Sequence, residues 1–532
     1  MKELLMVARR WPWLPAVLLF LICGLRYIDF PGLYMDAVNP DYLAAHALHP
    51  ALDNPRFLLP GNERYTFLGS YYHGAQNYYV LRLFLAFWGS TVFTIRLAQM
   101  LFGCIIIASS VTLVSKLTRS CALAMTTGFA AATDIAFIAS FRDQNYIVLG
   151  GLAWLLVAVN LALPRDDRTD NTFKRLFFSG IFAGLSVYGY FVNLFFLPAL
   201  MLLVLHGVQN RSRGMLWWMA GLPIGAILYF VGYFRMYRAL GGLHGMISNL
   251  STGIRALNPV QSETLFERIS HIYSFAHMAV SNDENCFMIL GGPLGSHWGN
   301  AKFYLLTIAI MILLGWAVSE WVRKRLFDNT VCVTLLPLSF AAVALVFGGR
   351  LGAHHFSVLI VFVYITICIL LYRVLMLDPF QGKALAARRA IAVVAIVLIG
   401  ANLLQQSIFF KQLNETGGVF RSSNALTTMA QEAISDRGSA LYDFPEWGFF
   451  TSFALLTENK VPYLIDDSTG AIKAAHARYQ GYGELRLLYW SDADSVQYVR
   501  KLQDAGLKGI RKRIFFQRNG RDAFYMLTAH FD

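Results

Sequence analysis

Apolar runs of about 20 residues recur along this chain from residue 11 to residue 408, separated by short basic patches. Each is long enough to cross a hydrocarbon core as a helix, which satisfies every backbone polar group within one segment. Transmembrane barrel strands would instead read as weak alternation over about 10 residues. Only 14% of the 532 residues are charged and 56% are hydrophobic, against ~25% charged in an ordinary soluble domain. The expected fold class is an α-helical polytopic membrane protein.

The formal charge of +13 would suggest nucleic acid as a partner of a soluble protein. Here the basic residues sit in short connections between spans and set orientation instead, so nucleic acid is not expected. Residues 1–10 and the span 11–28 read as a retained first helix, because no small-residue cleavage site follows. Arg9 and Arg10 then place the N-terminus in the cytoplasm.

Further spans are expected at about 94–115, 121–140, 146–163, 216–235, 302–322, 330–347, 356–375 and 390–408. A broken pair within 177–208, interrupted near Gly189, Tyr190 and Asn193, brings the total to about eleven. Every strongly basic short loop then falls on the inner side. The outer side receives loops 29–93 and 236–301, the first with a short interfacial helix at 77–90. The membrane part is thus 1–408, and 409–532 is expected as a small extracytoplasmic α/β domain. "SALYDF", "KRIFFQR" and "AFYMLTAHF" read as strands, and "DADSVQYVRKLQDAG" as a helix stopped by Gly506. Five of the six cysteines lie in or beside spans and Cys286 stands alone in an outer loop, so no disulfide framework is expected.

The polar loop "YMDAVNPDYLAAHAL" at 34–48 follows the first span. Asp36 and Asp41, with Asn39 between them, are placed to converge just above the bilayer. Asp41 also suits a helix N-cap before "YLAAHAL"; Asp36 has no such duty and is the leading candidate for chemistry. In "FRDQNYIVLGG", Arg142, Asp143 and Gln144 mark where the third span emerges, with Asp143 either capping the fourth span or serving the site. Asp134 lies inside the third span, where an ionisable side chain is a functional candidate by default. "GSYYHGAQNYY" supplies Tyr72 and His73, and "GGRLGAHHF" supplies Arg350, His354 and His355, all assigned to the outer face. Cationic donors there suit a lipid-linked phosphate. The adjacent histidines also raise a metal reading, weakened because neighbours on a helix point in different directions.

The polar first loop with its aspartate, "YYHGAQNYYVLRLFLAFWGSTVFTIRLAQMLFG" and "SFRDQNYIVLGGLAWLL" resemble, in order and spacing, the N-terminal half of GT-C superfamily glycosyltransferases. The nearest group is the protein O-mannosyltransferase and aminoarabinose-transferase branch, including the lipid A galacturonosyltransferase-like enzymes. The resemblance covers about residues 1–375. It implies a polyprenyl-phosphate sugar donor, inversion at the anomeric carbon, and a lipid, glycan or protein acceptor. It also implies a bacterial inner membrane, with residues 409–532 in the periplasm. The family's first-loop acidic pair falls on Asp36 and Ala37, so the second acid of a divalent-metal site is missing, with Asp41 as a substitute. A later family aspartate falls on Asp143, and a phosphate-holding lysine is replaced around His73, a weaker and pH-dependent clamp. The resulting assignment is catalytic Asp36, Asp143 and Asp41; donor phosphate on Arg142, His73, Arg350 and His355; substrate contacts from Tyr72, Asn39, Gln144 and His354. The rival is a transporter or flippase of lipid-linked sugars, disfavoured because polar residues are scarce at mid-membrane and no internal repeat stands out.

Overall fold

The computed structural model describes residues 11–38, 42–49, 58–63, 65–164, 172–206, 211–257, 262–324, 328–377, 384–436 and 438–531. Asn39 and Asp41 lie outside these, as do the basic residues Arg9, Arg10, Arg165, Arg168, Arg325 and Lys383.

Six described helices are each long and apolar enough to cross a membrane: Val92–Thr118, Asn145–Ala162, Trp298–Arg323, Asn329–Arg350, Ala353–Leu375 and Leu385–Thr416. The pair Ser212–Gly225 and Ile227–Ala239 passes the same test together but is bent by 47°. Leu14–Leu25, Cys121–Thr133 and Phe191–His206 are apolar but shorter. The expectation of eleven spans therefore meets six full-length helices and several broken ones. The breaks have local causes. Asp134 ends Cys121–Thr133 and, in extended conformation, caps Ile135–Ala139 by accepting from Ala136 N at 2.8 Å. Tyr190 is likewise extended between Thr172–Gly189 and the 3-10 turn Phe191–Phe196, where the sequence placed an interruption.

The helices Thr172–Gly189 and Arg211–Gly225 approach backbone to backbone. A Cβ at Gly180 would lie 2.0 Å from Trp218 O, and one at Gly184 2.1 Å from Leu222 O; Gly221 and Gly225 face the partner helix in the same way. Two small-xxx-small stripes thus meet, as in close-packed membrane helices. The described residues of segment 236–301 include the helices Leu243–Leu257, Leu265–Ser281 and Asp283–Leu290.

The last long helix, Ala384–Thr416, leads into a five-stranded sheet of β1 (Ala440–Asp443), β2 (Tyr463–Leu464), β3 (Glu484–Tyr489), β4 (Lys508–Phe516) and β5 (Asp522–His530). Its order is β2-β1-β3-β5-β4, with β2, β1 and β3 parallel and β5 antiparallel to both β3 and β4. One face is covered by Thr469–Arg478 and Ser495–Asp504. The other shares a single apolar core with the Asp36 loop: Phe449, Phe450, Phe453 and Trp490 pack in one cluster with Leu33, Tyr34, Met35 and Val38. A buried core of this kind fixes the domain against the loop in a way a tether does not.

Candidate active site

Asp36 sits in a single 3-10 turn, Met35–Ala37, and the chain around it is held from two sides. From the sheet domain, Thr451 Oγ1 donates to Met35 O at 3.2 Å, Ser452 Oγ to Leu33 O at 2.7 Å, and Gly32 N to Ser422 O at 2.8 Å. From the helical part, Gln99 Nε2 donates to Ala37 O at 3.4 Å and the buried Arg96 donates to Ile28 O and Pro31 O. A turn restrained by two bodies presents its side chain in one direction.

That side chain is half-buried and accepts from the Tyr34 hydroxyl at 2.5 Å. Burial raises the Asp36 pKa above the ordinary carboxylate value, while the Tyr34 hydrogen bond and then the charge of Arg421 act in the opposite sense. Arg421 also hydrogen-bonds Tyr34, so a guanidinium, a phenol and a carboxylate form one relay. Arg421 comes from the sheet domain and was not found from the sequence, where nothing relates it to the first loop.

The Tyr72 phenol is raised first by burial and then by the Asp36 charge. Tyr72 hydrogen-bonds Tyr190, and the Tyr190 hydroxyl meets His355 Nε2 at 3.1 Å. His355 Nδ1 lies 2.8 Å from Gly352 N and 3.1 Å from Gly352 O. Tyr72, Arg350, His354 and His355 line a groove of about 910 Å³, walled by Tyr71, Phe191, Leu222, Tyr229, Tyr233 and Phe347. One groove thus gathers four residues singled out in separate segments of the sequence.

Arg142, His73, Asp143 and Gln144 are not among the residues that line the groove. Arg142 does not face the groove: its guanidinium donates to the carbonyls of Tyr27 (3.0 Å), Phe30 (2.7 Å), Gly24 (2.9 Å) and Arg26 (2.5 Å), with Phe410 against it at 4.9 Å. It satisfies the orphan carbonyls at the end of Leu14–Leu25, an obligation any buried helix terminus carries. His73 is buried behind Tyr72, stacked on Tyr190 at 5.4 Å, with its pKa pushed down to about 4 by burial. It is neutral near pH 7 and is no cationic clamp. Asp143 is buried apart from the groove lining, with Oδ1 accepting from Asn145 N at 2.9 Å at the start of Asn145–Ala162. Its Oδ2 has no partner among the described residues, and burial pushes it up to about 7. Gln144, partly exposed, is the N-cap residue of that helix with no side-chain cap bond.

Beside Asp143 lies Glu284, a second buried acid that sequence reasoning missed. Its carboxylate is 3.5 Å from Asn145 Nδ2 and 4.0 Å from His354 Nδ1, and burial, then the Asp143 charge, raises its pKa well above the ordinary range. The only signal was an acid pair, Asp283-Glu284, inside a segment otherwise without signature. Among the described residues no three of His, Cys, Asp and Glu converge on a metal-holding cluster, and residue 37 beside Asp36 is a buried alanine. These residues do not fit a site built on adjacent first-loop acids.

No family profile and no curated protein matches this chain. Among solved structures it is similar to ArnT from Cupriavidus metallidurans bound to undecaprenyl phosphate, at 10% identity and TM-score 0.60 over 98% of both chains. The apo state of ArnT gives 11% identity and TM-score 0.58 over 98% of both. The apo oligosaccharyltransferase of Archaeoglobus fulgidus gives 13% identity and TM-score 0.49, over 96% of this chain and 74% of that one. At these identities the likeness to ArnT is one of fold, and it extends over helical part and sheet domain together. The chain thus has the fold of ArnT, in line with the sequence resemblance.

Proposed function

We propose that this chain is an inverting glycosyltransferase of the bacterial inner membrane. It moves a sugar from a polyprenyl-phosphate donor to an acceptor hydroxyl on the outer face, with the sheet domain in the periplasm. The carrying observation is that Asp36 is hydrogen-bonded to Tyr34, which lines one cleft, and that its charge acts on Tyr72, which lines the aromatic groove. ArnT, which shares the fold, has been crystallised with undecaprenyl phosphate, which supports a lipid-phosphate donor.

In this reading the isoprenoid tail lies along the aromatic wall of the groove, and the phosphate rests at Arg350 with hydrogen bonds from His354 and His355. The sugar projects past Tyr72 toward Asp36. The acceptor oxygen attacks the anomeric carbon while the bond from that carbon to the phosphate oxygen breaks. Polyprenyl phosphate departs with the electron pair, and the acceptor proton passes to Asp36. A positioned base is worth ~10²–10⁴ in rate; charge stabilisation of the departing phosphate contributes a comparable factor.

The test uses purified protein in liposomes with radiolabelled polyprenyl-phosphate sugars and envelope extract as acceptor. Label should appear covalently on an acceptor, and Asp36→Asn should lower transfer by ~10²–10⁴ while thermal unfolding stays unchanged. Movement of intact donor across the bilayer without transfer would replace the enzyme by a flippase. Wild-type transfer by Asp36→Asn would remove Asp36 as base.

A further inference from the structure

The proposed transfer gives no task to two buried acids, Asp143 and Glu284, one of which touches the groove wall. Glu284 Oε1 lies 4.0 Å from His354 Nδ1, and the same carboxylate accepts from the His354 backbone N–H. The His354 side chain is 26% exposed, on a groove that it lines together with Arg350 and His355. Asn145 joins the two acids: its backbone N donates to Asp143 Oδ1 at 2.9 Å, and its Nδ2 lies 3.5 Å from Glu284 Oε2. Asp143 Oδ2 has no partner among the described residues, and no lysine or arginine pairs with Glu284 there.

Two carboxyl groups buried this close do not ionise together. Arg96 favours the charge on Asp143, and that charge, after burial itself, holds the pKa of Glu284 well above its ordinary value. Glu284 therefore keeps a proton that a glutamine of the same shape could not release. Resting on the donor phosphate placed above at Arg350 and His354, we infer that Glu284 is the positioning residue for His354: it stores a proton and passes it to Nδ1 when a phosphate enters the groove. The O–H bond of Glu284 breaks as the N–H bond at Nδ1 forms, and the hydrogen on Nε2 is donated to a phosphate oxygen. A carboxylate and an imidazolium result, and no proton is exchanged with solvent. A turn of the partly exposed imidazole closes the 4.0 Å gap to hydrogen-bond distance. Before the donor binds both groups are neutral, which avoids the cost of a buried charge. With the donor in place, the departing prenyl phosphate is held by two cations, Arg350 and His354, through charge-assisted hydrogen bonds.

The experiment is calorimetric titration of the purified full-length protein, in uncharged detergent, with farnesyl phosphate and with farnesol. Each titration is run at about pH 8 in two buffers of unlike ionisation heat, so that any proton taken from solvent is counted. The wild type should bind farnesyl phosphate with the same heat in both buffers, because the proton comes from within. Glu284→Gln should bind it about tenfold more weakly and draw a proton from the buffer, with affinity recovering at about pH 6. His354→Gln should bind as weakly at either pH, and adding Glu284→Gln to it should cost nothing more. A purely structural Glu284 would give a loss equal at both pH values with no proton drawn, and that result overturns the inference. Wild-type affinity in Glu284→Gln, or a proton drawn from the buffer by the wild type, overturns it too. If farnesyl phosphate binds the wild type no more tightly than farnesol, the phosphate placement falls and the inference with it. Phosphate-selective binding that ignores Glu284 removes the inference alone, and the test of Asp36 as base stands in every case.

Discussion

Lys302 donates from Nζ to Asp134 Oδ1 at 2.6 Å, with both side chains fully buried inside the helical part. Asp134 Oδ2 accepts from the Tyr364 hydroxyl at 2.6 Å, Asn402 Nδ2 donates to that hydroxyl at 2.8 Å, and Trp298 Nε1 donates to Asn402 Oδ1 at 2.6 Å. From sequence, Asp134 is a candidate for intramembrane chemistry. In the fold its carboxylate is fully partnered and fastens the break before Ile135–Ala139 to three other helices, a structural duty.

Removing one partner from such a network strands a buried charge. Lys302→Met should therefore destabilise the protein by about 3–5 kcal/mol. The double variant Asp134→Asn/Lys302→Met should recover a sizeable part of that loss. Thermal unfolding in detergent across the double-mutant cycle measures the coupling, and strictly additive losses would refute it.

Tyr34→Phe deletes the donor that favours the ionised form of Asp36, so the Asp36 pKa should rise further above its ordinary value. The base must be deprotonated to act. The acid limb of the kcat/KM profile should accordingly move to higher pH, with the plateau largely retained. An unmoved limb would show that the ionising group in the profile is not Asp36.

Arg142→Gln should act on folding and not on donor affinity. Losing hydrogen bonds to several buried carbonyls should cost about 3 kcal/mol or more, lowering the unfolding temperature and the yield. Donor KM of the folded fraction should stay at the wild-type value. A raised KM with unchanged stability would restore Arg142 to the phosphate site.

Asp443, at the end of β1, is fully buried with both carboxyl oxygens unpartnered among the described residues. Burial, then Asp467 and Asp466, push its pKa from 3.8 to about 7. The folded state therefore holds a proton that the unfolded chain releases. That stabilisation is complete below 3.8 and is lost as pH rises through about 7. Asp443→Asn stays neutral, so its advantage in unfolding temperature over wild type should be larger at about pH 8 than at about pH 5. An advantage independent of pH would contradict a buried, protonated Asp443.

Composition, apolar run length and local spacing determined by themselves that this chain is a helical membrane protein with a small α/β domain after its last long helix. Both follow from local quantities: the length a bilayer demands, the alternation of strand residues, and the stop at Gly506. Asp36, Tyr72, Arg350, His354 and His355 stood out in sequence because polar groups beside long apolar runs are rare, and the fold brings the last four onto one groove.

What only the tertiary structure decided is which of these side chains are available. Arg142 and Arg350 look equivalent in sequence, yet one satisfies the carbonyls of a helix end while the other lines the groove. His73 lies one residue from Tyr72, but burial makes it neutral and leaves only the tyrosine on the groove wall. Arg421 carries no local signal, because its partners Tyr34 and Asp36 are brought to it by the shared core of Leu33, Met35, Phe449 and Phe453. Spacing along the chain records periodicity and turn chemistry. Burial and hydrogen-bond commitment depend on which distant segments pack together, and they decide whether a charge serves folding or chemistry.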